Sequence, residues 1–346
     1  KGQKRRKAHT ELRKLSMSFD PDAQPYFDKQ KDRRVCFITG GNSGLGFYTV
    51  LHLYLHGYIV YIAGRNRQRV EVAMKKLRSE ALIRRANQNA HELENRHLGE
   101  LKFVELDLCK LKSVEHGVVQ FKRQEKRLDL LILNAGIMAV PYGKTKDGFE
   151  VQLQTNYISH FLIADRLVEL MQDPDVVKDP RIIYLSSVGH WFTPFPFKLS
   201  WQYNYWPNIV FPWFRYGMAK TAGIQMIRSL CKRHSNILCV AVHPGFVMNT
   251  NLFSHFTRLP IIGLFFWVMF QIFGWLFGVS NEEGSYSTLR CGLGADLTAA
   301  KDNGKYFATF GVQEKPSWTA RNIDYACESW AWTVQELRKR GHEIEN

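Results

Sequence analysis

Val35-Cys36-Phe37-Ile38-Thr39-Gly40-Gly41-Asn42-Ser43-Gly44-Leu45-Gly46 decides the fold. The first five residues are apolar and β-prone, glycines follow at once, and the amphipathic stretch Phe47 to His56 comes next. Strand, glycine turn, helix is the context that a dinucleotide loop requires. The backbone must turn sharply and come close to a pyrophosphate, which only residues without a Cβ allow. The pyrophosphate charge is then met by the N–H groups and dipole at the start of the helix. Three spaced glycines alone read equally well as a flexible turn, and the flanking strand and helix select the cofactor reading. Thr39, Gly40, Asn42, Ser43, Gly44, Leu45 and Gly46 are the residues expected at the cofactor.

Working outward, strand-like runs alternate with helical ones: Val35–Thr39, Tyr58–Ala63, Leu101–Leu106, Leu128–Leu133, Arg181–Ser186, Ile237–Val242 and Lys305–Phe310. That alternation predicts an α/β fold, a single doubly wound Rossmann-type parallel sheet. With 346 residues, 45% of them hydrophobic, one domain of about 280 residues with extensions fits better than two. The expected organisation is a basic N-terminal extension over 1–30 and one domain over 31–346. The polar stretch Arg84 to Glu100 reads as a helix end and surface loop.

The second strand ends in Gly64-Arg65-Asn66-Arg67, with no carboxylate. An acidic residue there binds the ribose 2′-hydroxyl of NAD, whereas an arginine pairs with the 2′-phosphate of NADP. Arg65 therefore predicts NADP.

Tyr216 and Lys220 lie four apart, in front of a run in which Ile224, Ile227 and Leu230 recur at helical spacing. On a helix they are surface neighbours. A Tyr four residues before a Lys is weak by itself, since 14 tyrosines should give roughly one such pair by chance. Tyr142 and Lys146 are that chance pair, beside Pro141 and Gly143 in a turn-like segment. Reducing a carbonyl needs a proton on oxygen as hydride reaches carbon, and a phenol with a pKa of about 10 is poorly poised for this. A nearby ammonium lowers that pKa. Tyr216 is thus the expected general acid and base, with Lys220 tuning it and reaching the nicotinamide ribose. Ser187 ends the apolar run Ile182-Ile183-Tyr184-Leu185, so its hydroxyl is expected at the C-terminal sheet edge, holding the substrate oxygen.

At this point the chain resembles the short-chain dehydrogenase/reductases, from about Arg33 to the C-terminal helix. The family's glycine motif matches at Thr39, Gly40, Gly44 and Gly46. The resemblance implies that Asp107 contacts adenine and that Asn134-Ala135-Gly136 stabilises the sheet and lines the cofactor. It implies that Asn156 holds a water in a proton relay, and that Pro244-Gly245, with Val247, lies beside the nicotinamide. Ser187, Tyr216 and Lys220 match the remaining active-site positions. Within the family the chain is most similar to the retinol-dehydrogenase-like branch, and there to fungal lipid-droplet oxidoreductases. The pointers are Gly64-Arg65, the long Ser187–Tyr216 interval, Gly304-Lys305-Tyr306-Phe307 and a long C-terminal helix. One departure is visible: the family's Pro-Gly-x-Val-x-Thr reads Pro244-Gly245-Phe246-Val247-Met248-Asn249, with Thr250 one place late.

Composition narrows the surroundings. The formal charge is +15, part of it in Lys1, Lys4, Arg5, Arg6, Lys7, Arg13 and Lys14. No nucleic-acid fold signature accompanies this arm, so an anionic lipid surface is the expected partner and nucleic acid is not. The first residue is not Met, so the natural start is expected to be missing or cleaved. Six cysteines and twelve histidines show no metal-type spacing, and no metal is expected. The cysteine usage fits a reducing compartment, and His243 reads as packed.

From Leu259 to Ser280 no side chain is charged, and Leu264 to Phe270 is apolar on every face. The length suits a membrane span, yet the strands on either side must join one sheet, which forbids a single crossing. An interfacial helix, a re-entrant hairpin turning near Gly274 or Gly278, and a buried cap remain. The fold expectation therefore includes an apolar membrane-associating insertion before the last strand. Trp191 to Phe214, rich in aromatics and with Pro194, Pro196, Pro207 and Pro212, is expected to wall the pocket or meet an interface. Together these predict an NADP-dependent enzyme acting on an apolar aldehyde, ketone or alcohol at a lipid droplet or endoplasmic reticulum membrane, facing the cytosol. The competing class is a catalytically silent nucleotide-binding scaffold at a lipid surface.

Overall fold

A computed structural model describes residues 19–201, 203–205, 210–247 and 278–345. The basic arm over 1–18, Pro207, Met248 to Thr250 and the apolar run through residue 277 lie outside them.

Residues 35–39 form β1 (Val35–Thr39), buried throughout. The glycine turn leads into α1 (Gly44–Leu55), then β2 (Ile59–Gly64) and α2 (Arg67–Ala86). A short helix, Ala90–Glu94, closed by a capping box between Asn89 and Glu92, gives structure to part of the expected loop. β3 (Glu100–Glu105), α3 (Leu111–Gln124) and β4 (Leu130–Leu133) follow. A single π-helical turn, Gln154–Ile158, runs into α4 (Ser159–Leu167), then β5 (Arg181–Leu185), α5 (Phe211–Arg233) and β6 (Leu238–Val242).

With β9 (Tyr306–Phe307) and β10 (Gln313–Glu314) nearer the C-terminus, the main sheet has the order β3-β2-β1-β4-β5-β6-β9-β10. Every pairing is parallel except the last, in which β10 runs against β9. The sheet is thus mostly parallel with one antiparallel edge, and the expected last strand Lys305–Phe310 shrinks to two residues. A 3-10 turn over Thr309–Gly311, with Phe310 at φ 59°, ends it. The order reverses between β1 and β4, which in such sheets opens the ligand crevice at the strands' C-terminal ends.

Successive strand residues alternate between two cores. Val35, Phe37, Leu131, Leu133, Ile182 and Tyr184 face the layer of α3, α4 and α5. Cys36, Ile38, Leu130, Ile132, Ile183 and Leu185 face α1, α2 and α6 (Asn281–Leu293). The last helix, α7 (Ile323–Arg338), joins the first of these layers. Ser329 donates to Gln225 on α5, Tyr157 pairs with Thr333, and Trp330 packs against Phe161 at 4.6 Å.

Helix α5 begins at Phe211, five residues before Tyr216, because Pro212 sits in its first turn, where its missing N–H costs nothing. Tyr216 is therefore well inside a helix. Beyond β6, the two-residue strands β7 (Phe246–Val247) and β8 (Gly278–Val279) pair in parallel. Residues 247 and 279 therefore lie side by side, at either end of the apolar insertion. Among the described residues no helix is long and apolar enough to cross a membrane. All six cysteines are free.

Candidate active site

The glycine turn is a cradle that side chains would fill. Gly40 and Gly44 have φ of 69° and 55°, the left-handed region that favours glycine. A Cβ on Gly46 would come 2.3 Å from the Gly40 carbonyl oxygen and 2.7 Å from Asn134 Nδ2. Ser43 caps α1 without a side-chain hydrogen bond, so first-turn N–H groups remain for an anion. Asn42 and Leu45 are half-buried in the same turn. The floor is tied down by Asn134, whose Nδ2 donates to the Thr39 and Gly40 carbonyls at 2.8 and 3.1 Å. This arrangement fits the pyrophosphate of a nicotinamide dinucleotide.

Thr39 links that cradle to the helical layer. Its Oγ1 accepts from the backbone N–H groups of Asn134 and Ala135, both at 3.0 Å. Its own hydrogen then goes to His160 Nε2, at 3.0 Å. His160 Nδ1 in turn donates to the Asn156 carbonyl at 3.1 Å. Burial holds the ring neutral, with its pKa pulled down to about 3, and Lys220 adds to the shift. Sequence reading missed His160, although its place one helical turn after Asn156 was a usable signal.

Asn156 sits in the π turn, completely buried. Its amide holds Ile137 from both sides: Oδ1 accepts from the Ile137 N–H and Nδ2 donates to the Ile137 carbonyl, each at 2.8 Å. Its own carbonyl accepts from Tyr184 Oη at 2.9 Å as well as from His160. The side chain thereby fixes the segment after Asn134-Ala135-Gly136. Gly136 completes the floor, since a Cβ there would lie 3.2 Å from Asn156 Oδ1 and 3.4 Å from Lys220 Nζ.

Ser187, Tyr216 and Lys220 come together where β5 ends. Ser187 caps a short 3-10 turn, its Oγ accepting from the Gly189 N–H at 3.0 Å. Tyr216 is buried, with its phenol facing the Ser187 hydroxyl. Lys220 is buried as well. Its Nζ donates to the Leu185 carbonyl at 2.7 Å and stands 5.7 Å from the Tyr216 ring centre. Two glycines allow this contact: a Cβ on Gly189 would meet the Tyr216 ring at 2.5 Å, and one on Gly217 the Gly189 carbonyl at 2.7 Å. His190 braces the turn from behind. Its Nδ1 donates to the Ser187 carbonyl at 2.6 Å and its Nε2 accepts from the Ser317 N–H at 3.0 Å.

The electrostatics reverse one expectation. Burial pushes the Tyr216 phenol up to about 12, against the opposing Ser187 hydrogen bond. Burial also pulls the Lys220 ammonium down to about 7. Removal from water outweighs the mutual support of the pair here, because the lysine is aimed at a carbonyl rather than at the phenol oxygen.

The other expected residues lie around this centre. Arg65 is exposed directly after β2 and has no ion pair among the described residues, while Arg67 stacks 4.7 Å over Phe103. Asp107 accepts from the Cys109 N–H at 3.0 Å and stands 3.4 Å from Lys110. Pro244 and Gly245 follow β6, Gly245 with φ 87°, and Val247 is buried. His243 is held neutral by burial, its pKa down to about 4. Tyr142 lies under Arg215, whose guanidinium is 5.5 Å from its ring centre. A separate cleft under α7, lined by Phe149, Leu199, Trp201, Arg215, Met218 and Trp332, includes none of Ser187, Tyr216 or Lys220.

A doubly wound sheet, a glycine cradle at its switch point and a Ser–Tyr–Lys group where β5 ends, half-buried at Ser187 and buried at Tyr216 and Lys220, define a Rossmann-fold oxidoreductase. The family model for short chain dehydrogenases matches residues 81–198. The short-chain dehydrogenase/reductase drtF of Aspergillus calidoustus is 33% identical over 331 residues, 89% of this chain and 94% of that one. Retinol dehydrogenase 12 of Mus musculus is 32% identical over 278 residues, 80% of this chain and 77% of its own. A crystal structure of a putative uncharacterized protein from Mycobacterium paratuberculosis superposes with a TM-score of 0.67 at 25% identity, covering 95% and 99% of the two chains. The chain belongs to the short-chain dehydrogenase/reductase family, on its retinol-dehydrogenase-like branch. It is an oxidoreductase of that family.

Proposed function

We propose that the protein is an NADP(H)-dependent oxidoreductase that interconverts an apolar aldehyde or ketone and its alcohol, of retinoid, steroid or lipid origin. The observation that carries this reading is that the buried Tyr216 faces Ser187, one helical turn from the buried Lys220. In reduction, Ser187 Oγ holds the carbonyl oxygen and Tyr216 Oη gives it a proton. The bound nicotinamide supplies the hydride. In oxidation Tyr216 takes the proton back. A phenolate left in so buried a place is costly, and a protonated Lys220 offsets that cost. With its pKa near 7, Lys220 changes charge close to neutral pH. Asn156 and His160 act by fixing the floor beneath this group.

Arg65, exposed at the end of β2 and unopposed by a carboxylate, supports the 2′-phosphate and so NADP. Asp107, Pro244, Gly245 and Val247 complete the cofactor's surroundings in this reading. The apolar substrate class rests on the retinol dehydrogenase relatives and on aromatics near the Ser187 turn. Trp191, Phe192, Phe195 and Trp318 are 61%, 49%, 71% and 51% exposed, and Phe195 packs edge-on to Trp318. An exposed aromatic face suits the boundary of a lipid phase. With the basic arm and the uncharged stretch 259–280, it supports a lipid droplet or endoplasmic reticulum surface, with the catalytic domain on the cytosolic side.

The test is turnover of a panel of retinoid, steroid and fatty aldehydes with NADPH and with NADH, repeated for Tyr216→Phe. Unchanged turnover in the variant removes Tyr216 from the chemistry. Full nucleotide binding with no turnover across the panel supports the scaffold reading instead.

A further inference from the structure

The far end of α1 from the glycine turn holds a second group of side chains with chemistry left over. His52 lies in the last turn of α1 and His56 is its C-cap, four residues on and on the same face. Both rings are buried, 3% and 0% exposed. Each has one nitrogen committed: His52 Nε2 lies 2.8 Å from Glu282 Oε1, and His56 Nδ1 lies 2.9 Å from the Pro25 carbonyl oxygen. An ionised carboxylate and a carbonyl only accept, so these nitrogens carry the hydrogens. The opposite nitrogens, His52 Nδ1 and His56 Nε2, are buried with no hydrogen-bond partner. Buried polar atoms in native proteins are almost always satisfied, so two orphans in neighbouring rings ask for a reason.

Asp22 brings the third group. It sits in the 3-10 turn Pro21–Ala23, and one ring nitrogen of each histidine and one Asp22 oxygen lie within 4.8 Å of one another. The Pro21 carbonyl also faces His56, and burial disfavours a second proton on that ring.

We propose that Asp22, His52 and His56 bind a divalent transition-metal ion, with zinc the ion that two imidazoles and a carboxylate suit best. Histidines that ligate metals characteristically donate their other N–H to a carboxylate or a backbone carbonyl, and both do so here. The outer partners are themselves held. Arg84 grips Glu282 through two bonds of 2.6 and 3.0 Å, and Tyr26 stacks on His56 at 4.0 Å. Ligand atoms of a tetrahedral zinc site stand about 3.4 Å apart at bonds of about 2.1 Å, so a side-chain adjustment of roughly an ångström closes the set. The formal charges near the ion are those of Asp22 and Glu282, with Arg84 pairing the latter, and of Arg96, which lies 4.6 Å over the Tyr26 ring that stacks on His56. A metal here fastens the segment before β1 to the end of α1. The backbone prepares the same join, since the Phe27 N–H donates to the His56 carbonyl at 3.0 Å.

The test uses the full chain, treated with chelator, dialysed and titrated with zinc chloride. Zinc per chain, melting temperature and cobalt(II) absorption are measured alongside NADPH binding. The expected result is one zinc per chain at micromolar metal, a higher melting temperature when saturated, and a tetrahedral cobalt spectrum. Asp22→Asn, an exposed position, should keep NADPH binding and lose at least tenfold in zinc affinity. His52→Ala should remove the cobalt spectrum, and Asp22→Asn decides alone if that variant fails to fold. No stoichiometric binding by the wild type overturns the proposal. So does wild-type affinity in Asp22→Asn, which marks adventitious zinc on other histidines.

Discussion

Around β1, β2 and β3 the site is made of backbone: left-handed glycines, a close approach at Gly46, and the start of α1, with Arg65 outside in solvent. Around β4, β5 and β6 it is made of buried side chains, Asn156, His160, Tyr216 and Lys220, nearly all of whose polar atoms are answered by a hydrogen bond. The contrast follows from what each half must handle. A pyrophosphate is large, fully charged and met by many weak donors, which a turn supplies cheaply. A single proton moves between defined atoms, and this requires desolvated groups whose pKa values the surroundings set. One half therefore tolerates side-chain change and resists added volume, and the other does the reverse.

The largest break should come in the side-chain half. Tyr216→Phe should lower kcat by about 10²–10⁴-fold while NADPH affinity, followed by fluorescence titration, stays put. Parallel loss of both would mean that the two halves are not separable. Gly46→Ala is the converse experiment, because its methyl has no space beside the Gly40 carbonyl. Overpacking of this kind costs about 1–3 kcal/mol, so NADPH affinity should fall roughly ten- to a hundredfold. Wild-type affinity in that variant would show that the cradle yields easily.

Lys220 sharpens the comparison through pH. Its folded pKa, about 7, lies below the 10.5 of the free side chain. The unfolded chain therefore holds more protons between those values, and folding stability gains as pH rises from about 7 to 10. The gap between wild type and Lys220→Met in urea denaturation should change by up to about 1.4 kcal/mol per pH unit, in favour of the wild type at higher pH. A gap that does not move between pH 7.5 and 9 would show that Lys220 is not desolvated. The smallest effect belongs to the exposed side chain of the backbone half. Arg65→Ser should weaken NADPH by roughly tenfold, one charge-assisted hydrogen bond to phosphate, and leave NADH unaffected in calorimetric titration.

The backbone half was almost wholly legible in the sequence, because its determinants are local. Strand, glycines and helix follow one another within about twenty residues. In the other half, the order Ser187, Tyr216, Lys220 was readable, as was the decoy status of Tyr142. The bonds among these groups were not. His160 reaches Thr39 across 121 residues of chain, and no spacing rule spans that distance. The sign of the Tyr216 shift was missed because it depends on burial, which proximity along a helix does not report. The last strand was overestimated because Phe310 adopts a positive φ that an apolar pattern conceals. His52 and His56 did not stand out among the twelve histidines because Asp22, which completes the cluster, comes from a separate turn upstream.

Helix α7 comes after every strand of the sheet, yet it covers the outer face of α5 and the π turn that holds Asn156. Trp330, Leu337 and even Ile344 are buried in that layer. During translation the chemical half therefore emerges with an apolar flank bare and cannot close its core until α7 has followed. Contacts of this sequence separation form late and leave aggregation-prone surface exposed in the interval. A chain cut before Ile323 thus lacks the wall behind its catalytic helix.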